Sequence, residues 1–309
     1  MIPARALALT TLAMLAFAGN SILCRVALKD TAIDAASFTS IRLAAGAITL
    51  WLIVQLRQRR PGDAVAGQGN WWSALALFVY AIAFSFAYLQ LSAATGALLL
   101  FGAVQATMIG RGLWAGEKFG AWQWLGFLLA MAGLVGLLLP GLSAPPLASA
   151  AWMISAGVAW GIYSLRGKSA GDPTQVTAGN FIRAVPMAAG LSWVIFTASQ
   201  VSGPWDDALG KAAGRFMVDG LGAVYAIASG AVTSGVGYAI WYTALPALKA
   251  TQAATVQLSV PVIAALGGVL MLGESLSWRL ALASLAILGG IALVILEKHP
   301  VVKTNEVGV

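Results

Sequence analysis

Three side-chain amides, Asn20, Gln105 and Gln257, stand in the middle of long apolar runs. An amide in such surroundings is costly unless it is hydrogen-bonded, so each must face a polar cavity or a second helix. Amides offer donors to a carboxylate and acceptors to an ammonium without carrying a formal charge, which suits reversible binding of a zwitterion. Aromatic residues recur beside them. Tyr80, Phe84 and Tyr88 at spacing four form one stripe of a helix, and Phe101 precedes Gln105 by the same spacing. Trp160 pairs with Tyr163, and Tyr238 with Trp241, with Ser234 one turn before Tyr238. Farther on, Gln252, Thr255 and Ser259 share a face, with Gln257 off it. Such stripes pack helices more often than they bind ligands, and Trp71, Trp72, Trp122 and Trp124 at the ends of runs fit an interfacial belt.

Ionised residues are sparse. Arg42 and Arg183 lie about two turns inside their runs, where a charge invites a functional reading. Their repeated placement towards run ends favours a structural one: snorkelling, or pairing with a helix C-terminus or a loop glutamate. Glu117 and Glu274 each precede an apolar run and are expected to stabilise the N-termini of the helices that follow. Every Asp and Glu falls at a run end, in a connection or in the tail, so no carboxylate is placed for a proton relay at mid-depth. With one cysteine, Cys24, and one histidine, His299 in the polar tail, no metal site and no cofactor are expected. An intramembrane enzyme would need a nucleophile and base or a set of metal ligands, and these residues supply neither.

The elements that must position these side chains are membrane helices. The chain is 60% hydrophobic and 9% charged, with a mean hydropathy of +0.85. Its apolar runs approach the ~20 residues that a helix needs to cross a bilayer. They hold Gly, Pro and Trp without polar alternation, so helices fit and a polar-lumen barrel does not. The expected spans cover 6–28, 35–56, 71–91, 96–114, 119–139, 147–165, 176–199, 220–245, 251–272 and 276–296. Ala16 to Ala18 could pass for a signal cleavage site, but the apolar run continues to Leu28. The net charge of +7 comes from cations in the connections, with no basic patch interleaved with aromatics, so nucleic acid is excluded as a partner.

The stretch Leu91 to Leu139 occurs again as Leu248 to Leu296. Each copy carries Leu-x-x-Gly-Glu between two apolar runs, ending at Glu117 and at Glu274. In a chain with 11 acidic residues, a glutamate repeated in register is informative. Two repeats follow, 1–142 and 143–309, divided at the Pro- and Gly-rich break after Leu139. Five spans per repeat make the second enter from the opposite side, an inverted repeat about a central cavity. Of the 18 Lys and Arg, eleven fall on the side of the N-terminus and five on the other, so both termini are expected in the cytoplasm. A monomer is expected, with the small residues Gly126, Ala130 and Gly133 as a face that could dimerise.

This pattern of ten helices in two halves, Gly-Glu between the last two helices of each half and an arginine in the second resembles the EamA-type members of the drug/metabolite transporter superfamily. Pro261 and Gly290 around the second Gly-Glu block fit the pattern, whereas Val104 stands where the other half has Pro261. Within the family, the mid-span aromatics and the missing buried acid most resemble the YddG-type amino-acid exporters. That resemblance implies a bacterial inner-membrane exporter of neutral, especially aromatic, amino acids working by alternating access. The alternative, a proton-driven exporter of lipophilic cations, would be expected to use a membrane-embedded carboxylate. Glycines in the sixth, eighth and ninth spans would let helices move, and Pro261 joins them as a candidate for gating.

Overall fold

The computed structural model describes residues 4–57, 68–116, 120–139, 144–167, 172–200, 217–248 and 256–296. Glu117 and Gln252 lie outside the described residues. Eight helices are long and apolar enough to cross a membrane: α1 (Ala4–Asp30), α2 (Ala35–Arg57), α3 (Trp71–Tyr88), α4 (Ala93–Trp114), α5 (Ala121–Leu138), α6 (Leu147–Gly167), α7 (Pro173–Gln200) and α8 (Gly220–Ala247). Two shorter apolar helices follow, α9 (Ser259–Leu272) and α10 (Trp278–Leu296). The described residues are helices and connections only, which makes this an all-α, multi-pass membrane protein.

Polar residues in the connections start the helices. An α-helix leaves its first N–H groups without internal partners, and a short polar side chain can accept from them. Asp34 Oδ1 accepts from Ala36 N and Ser37 N at 2.9 Å each, and Asn70 Oδ1 accepts from Ser73 N at 2.9 Å. Ser92, Asp172, Asp219 and Ser277 do the same for α4, α7, α8 and α10. Three of the scarce carboxylates thus serve as caps. Glu274 differs from the expectation. It accepts from Ala93 N, at the start of α4, at 2.8 Å and pairs with Arg25 of α1 at 3.2 Å. The left-handed Gly273, at φ +62°, turns the chain after α9 and aims Glu274 away from its own following helix.

Two helices depart from α geometry for identifiable reasons. In α8, Ser229–Val236 is a π-helix. A Cβ on Gly230 would collide with the carbonyl of Arg42, and one on Gly235 would meet Thr49, so this segment lies against the backbone of α2. Pro261 sits in the first turn of α9, where its missing N–H costs nothing. Its ring would clash with the carbonyl four residues back, at Gln257, and the helical run is broken by a turn at Leu258.

Helix neighbours follow a pattern. α1 packs on α8 and α9, and α6 packs on α3 and α4; α2 packs on α7 and α8, and α7 on α3; α4 meets α9, and α5 meets α10. Exchanging each helix with the one five places on maps this set of pairs onto itself. The small-residue face of α5 faces inward: a Cβ on Gly290 of α10 would collide with Gly126 O and Ala130 N, and one on Gly133 would meet Ala286 and Ile287. The face read as a dimer contact is therefore covered by α10 of the same chain.

Polar contacts gather the connections at two ends. At one, Arg25 donates to Tyr88 O at 2.8 Å and Leu89 O at 3.1 Å, and Lys29 to Leu272 O at 3.2 Å. Ser149 donates to Gln90 at 3.0 Å, and Met217 N to Asp34 at 3.0 Å. At the other, Arg166 donates to Ser73 and Asn70 at 3.2 Å each, and Asn180 Oδ1 accepts from Asn70 N at 3.0 Å.

Candidate functional site

Between the two ends, α1, α3, α4, α6, α8 and the segment before α9 line a narrow cavity of about 30 Å³. Its wall holds Asn20, Tyr80, Phe84, Phe101, Trp160, Tyr238 and Gln257, all expected from the sequence, together with Ser234. As it stands, the space left free admits only about two or three waters.

Asn20 is the polar centre. It is 6% exposed, and its Oδ1 accepts from Ser229 Oγ at 2.6 Å. Thr233 Oγ1 lies 3.3 Å from the same oxygen and 2.7 Å from Ser229 O, one hydrogen facing two acceptors. Asn20 Nδ2 donates to Tyr80 Oη at 3.4 Å, which leaves the second amide hydrogen for a ligand. The π-segment is what brings Ser229 and Thr233 to Asn20, since both hydroxyls belong to it. A widened turn at a polar site is a frequent use of π geometry.

Aromatic rings form the rest of the wall. Trp160, half-buried, stacks on Tyr238 at 5.3 Å and 24° and on Tyr163 at 5.3 Å and 27°, and tilts against Tyr80 at 4.9 Å. Phe17 meets Tyr238 edge-on at 5.7 Å and Trp241 at 6.0 Å. Such faces accept a flat apolar group or a cation. Among the described residues of the wall there is no Asp or Glu.

Other expected residues sit elsewhere. Tyr88 is fully buried, donates to Ala93 O at 3.4 Å and presses on Gly96, so it closes the α3–α4 turn instead of lining the cavity. Gln105 is buried one turn beyond Phe101 and outside this wall. Tyr163 and Trp241 support wall residues from behind. Tyr163 Oη lies 3.4 Å from Asn180 and 3.5 Å from Thr177. Pro261 lines a separate groove among α4, α9 and α10. Phe17, Ser21, Leu100 and Thr233 join the cavity without having been singled out. Phe17 lies three residues before Asn20 and Thr233 four after Ser229, spacings that would have flagged them once their partners were known.

The two arginines part company. Arg42 is 2% exposed and does not snorkel. Its Nη2 donates to Ala81 O at 3.0 Å, and its guanidinium carbon lies 5.0 Å from the Phe84 ring and 5.8 Å from the rings of Tyr80 and Phe38. Arg183 does hold backbone, donating to Gln68 O at 2.6 Å and Gly179 O at 2.9 Å.

Residues 147–296 match the sequence model of the EamA-like transporter family. The uncharacterized protein PA1977 of Pseudomonas aeruginosa is 56% identical over 291 residues, 94% of each chain. A protein solved by crystallography shares the fold, with a TM-score of 0.62 at 17% identity over 94% of this chain and 96% of its own. The near-complete kinship, the matched second half and the shared fold agree with a cavity walled by neutral groups inside a helical membrane protein: this chain belongs to the EamA-like transporter family, whose members are membrane transporters of small metabolites.

Proposed function

We propose that the chain exports neutral, especially aromatic, amino acids from the bacterial cytoplasm across the inner membrane. The observation that carries this reading is the composition of the cavity wall: stacked aromatic rings around the amides Asn20 and Gln257 and the hydroxyls of Ser21, Thr233 and Ser234, with no carboxylate among the described residues. Rings provide apolar contact for a side chain, and neutral donors and acceptors suit a zwitterion.

Transport proceeds by alternating access between two inverted repeats, 1–142 and 143–309, with both termini cytoplasmic and the chain acting as a monomer. The exchange of helix neighbours between halves supports the repeat. So does the gathering of the α1–α2, α3–α4, α7–α8 and α9–α10 connections at one end, apart from those after α2 and α6. Without a carboxylate among the described residues of the wall, the substrate gradient itself drives the cycle.

Efflux of labelled phenylalanine, tryptophan and threonine from proteoliposomes tests this reading. Protein-dependent efflux, indifferent to an imposed proton gradient and lost in Asn20→Ala, is the expected result. Gradient-driven transport of lipophilic cations with no amino-acid flux would replace it with the cation exporter, the reading that the stacked rings alone would favour.

A further inference from the structure

We propose that Arg42 is the charge that selects the substrate's carboxylate, so that the cavity accepts apolar carboxylic acids with or without an ammonium group and rejects the corresponding amines. The proposal rests on the amino-acid reading above and names the part of the amino acid that decides its acceptance.

Arg42 is buried in a membrane helix with its Nη1 lacking any hydrogen-bond partner. No carboxylate among the described residues is paired with Arg42. A buried guanidinium without a counter-charge is costly, and the rings of Phe38, Tyr80 and Phe84 with a single carbonyl offset that cost only in part. Its position gives the charge a use. Tyr80 and Phe84 belong to the cavity wall, and the guanidinium carbon stands 5.8 Å and 5.0 Å from their rings. Nothing acidic among the described residues of the wall opposes it. In a low-dielectric interior the field of one cation reaches past a ring, so the cavity is positive on its α3 side. A carboxylate is drawn towards Tyr80 and Phe84, and an amine that lacks one meets only repulsion. The ammonium of a zwitterion turns to the opposite side, where aromatic faces and neutral oxygens receive it.

The test is competition against labelled phenylalanine on the full-length protein in nanodiscs, with 3-phenylpropionate and phenethylamine as probes that keep the ring and remove one charged group each. The wild type is expected to bind phenylpropionate at least about tenfold more tightly than phenethylamine, the order of effect of one uncompensated nearby charge. Arg42→Gln should erase that ratio and Arg42→Lys should retain most of it, a pattern that a purely structural arginine would not give. If Arg42→Gln does not yield folded protein, the wild type and Arg42→Lys still decide. Phenethylamine equal to or better than phenylpropionate in the wild type, or an unchanged ratio in folded Arg42→Gln, overturns the proposal while phenylalanine binding leaves the amino-acid reading standing. Should direct binding with labelled probes show phenylpropionate bound but phenylalanine not, the amino-acid reading falls and carboxylate selection stands. Binding of none of the three overturns both.

Discussion

Arg42 and Arg183 occupy matching places in the two halves, yet the structure treats them differently. Arg183 ties α7 to the residues that lead into α3, donating to the backbone carbonyls of Gln68 and Gly179. Arg42 lies between α2 and α3 against aromatic rings, with one nitrogen left over. A residue's place along its helix does not fix its role, which follows from what packs around it. Beside Arg42 the neighbours form the cavity; beside Arg183 they form a connection near one end of the bundle.

The glycines beneath the two arginines extend the contrast and give the largest expected effect. A Cβ on Gly230 would collide with Arg42 O inside a helix pair, and one on Gly179 with Gln68 O in a connection. Gly230→Ala should cost about 2 kcal/mol, because two packed helices must part, and Gly179→Ala under about 1 kcal/mol, because a connection can yield. Thermal unfolding in detergent reads both, and equal losses would mean that the connection is as rigid as the helix pair.

On the wall itself, Trp160→Ala removes the ring shared by Tyr80, Tyr163 and Tyr238 and should lower aromatic amino-acid efflux about tenfold. Tyr163→Phe, on the side of Asn180 and Thr177, loses long hydrogen bonds and should leave efflux within about twofold. A reversed order in the flux assay would move the site towards α7.

On selectivity, no effect is expected from Arg183→Gln. It should cost about 1 kcal/mol of stability and leave the preference of the wall for acids over amines untouched. A changed preference would make the two arginines functional equals and erase the contrast.

Much of this was legible in the sequence. Apolar runs near the length of a bilayer located the helices; what they did not show is the turn at Leu258, where Pro261 cannot bond back to Gln257. Mid-span amides and rings marked seven residues of the cavity wall, since polar atoms in hydrocarbon need a reason. Tyr88 and Gln105 shared the same spacing but fell outside the wall, because helix periodicity assigns a face without saying which neighbour covers it. The π-segment was hidden for a deeper reason. Its glycines read as loose points in a helix, whereas the widened turn arises where Gly230 and Gly235 lie against α2. Glu274 misled in the same way: sequence distance favoured its own next helix, and the left-handed Gly273 directed it to α4.

The seam between α5 and α10 carries one more consequence. Each half contributes its last helix, and glycines and alanines let the two backbones nearly touch along Gly126, Ala130, Gly133 and Gly290. Two polypeptides cut between α5 and α6 would carry complementary edges of this clasp. The linker that now joins them supplies equal dosage and proximity, while recognition between the halves is already written in the faces of their terminal helices.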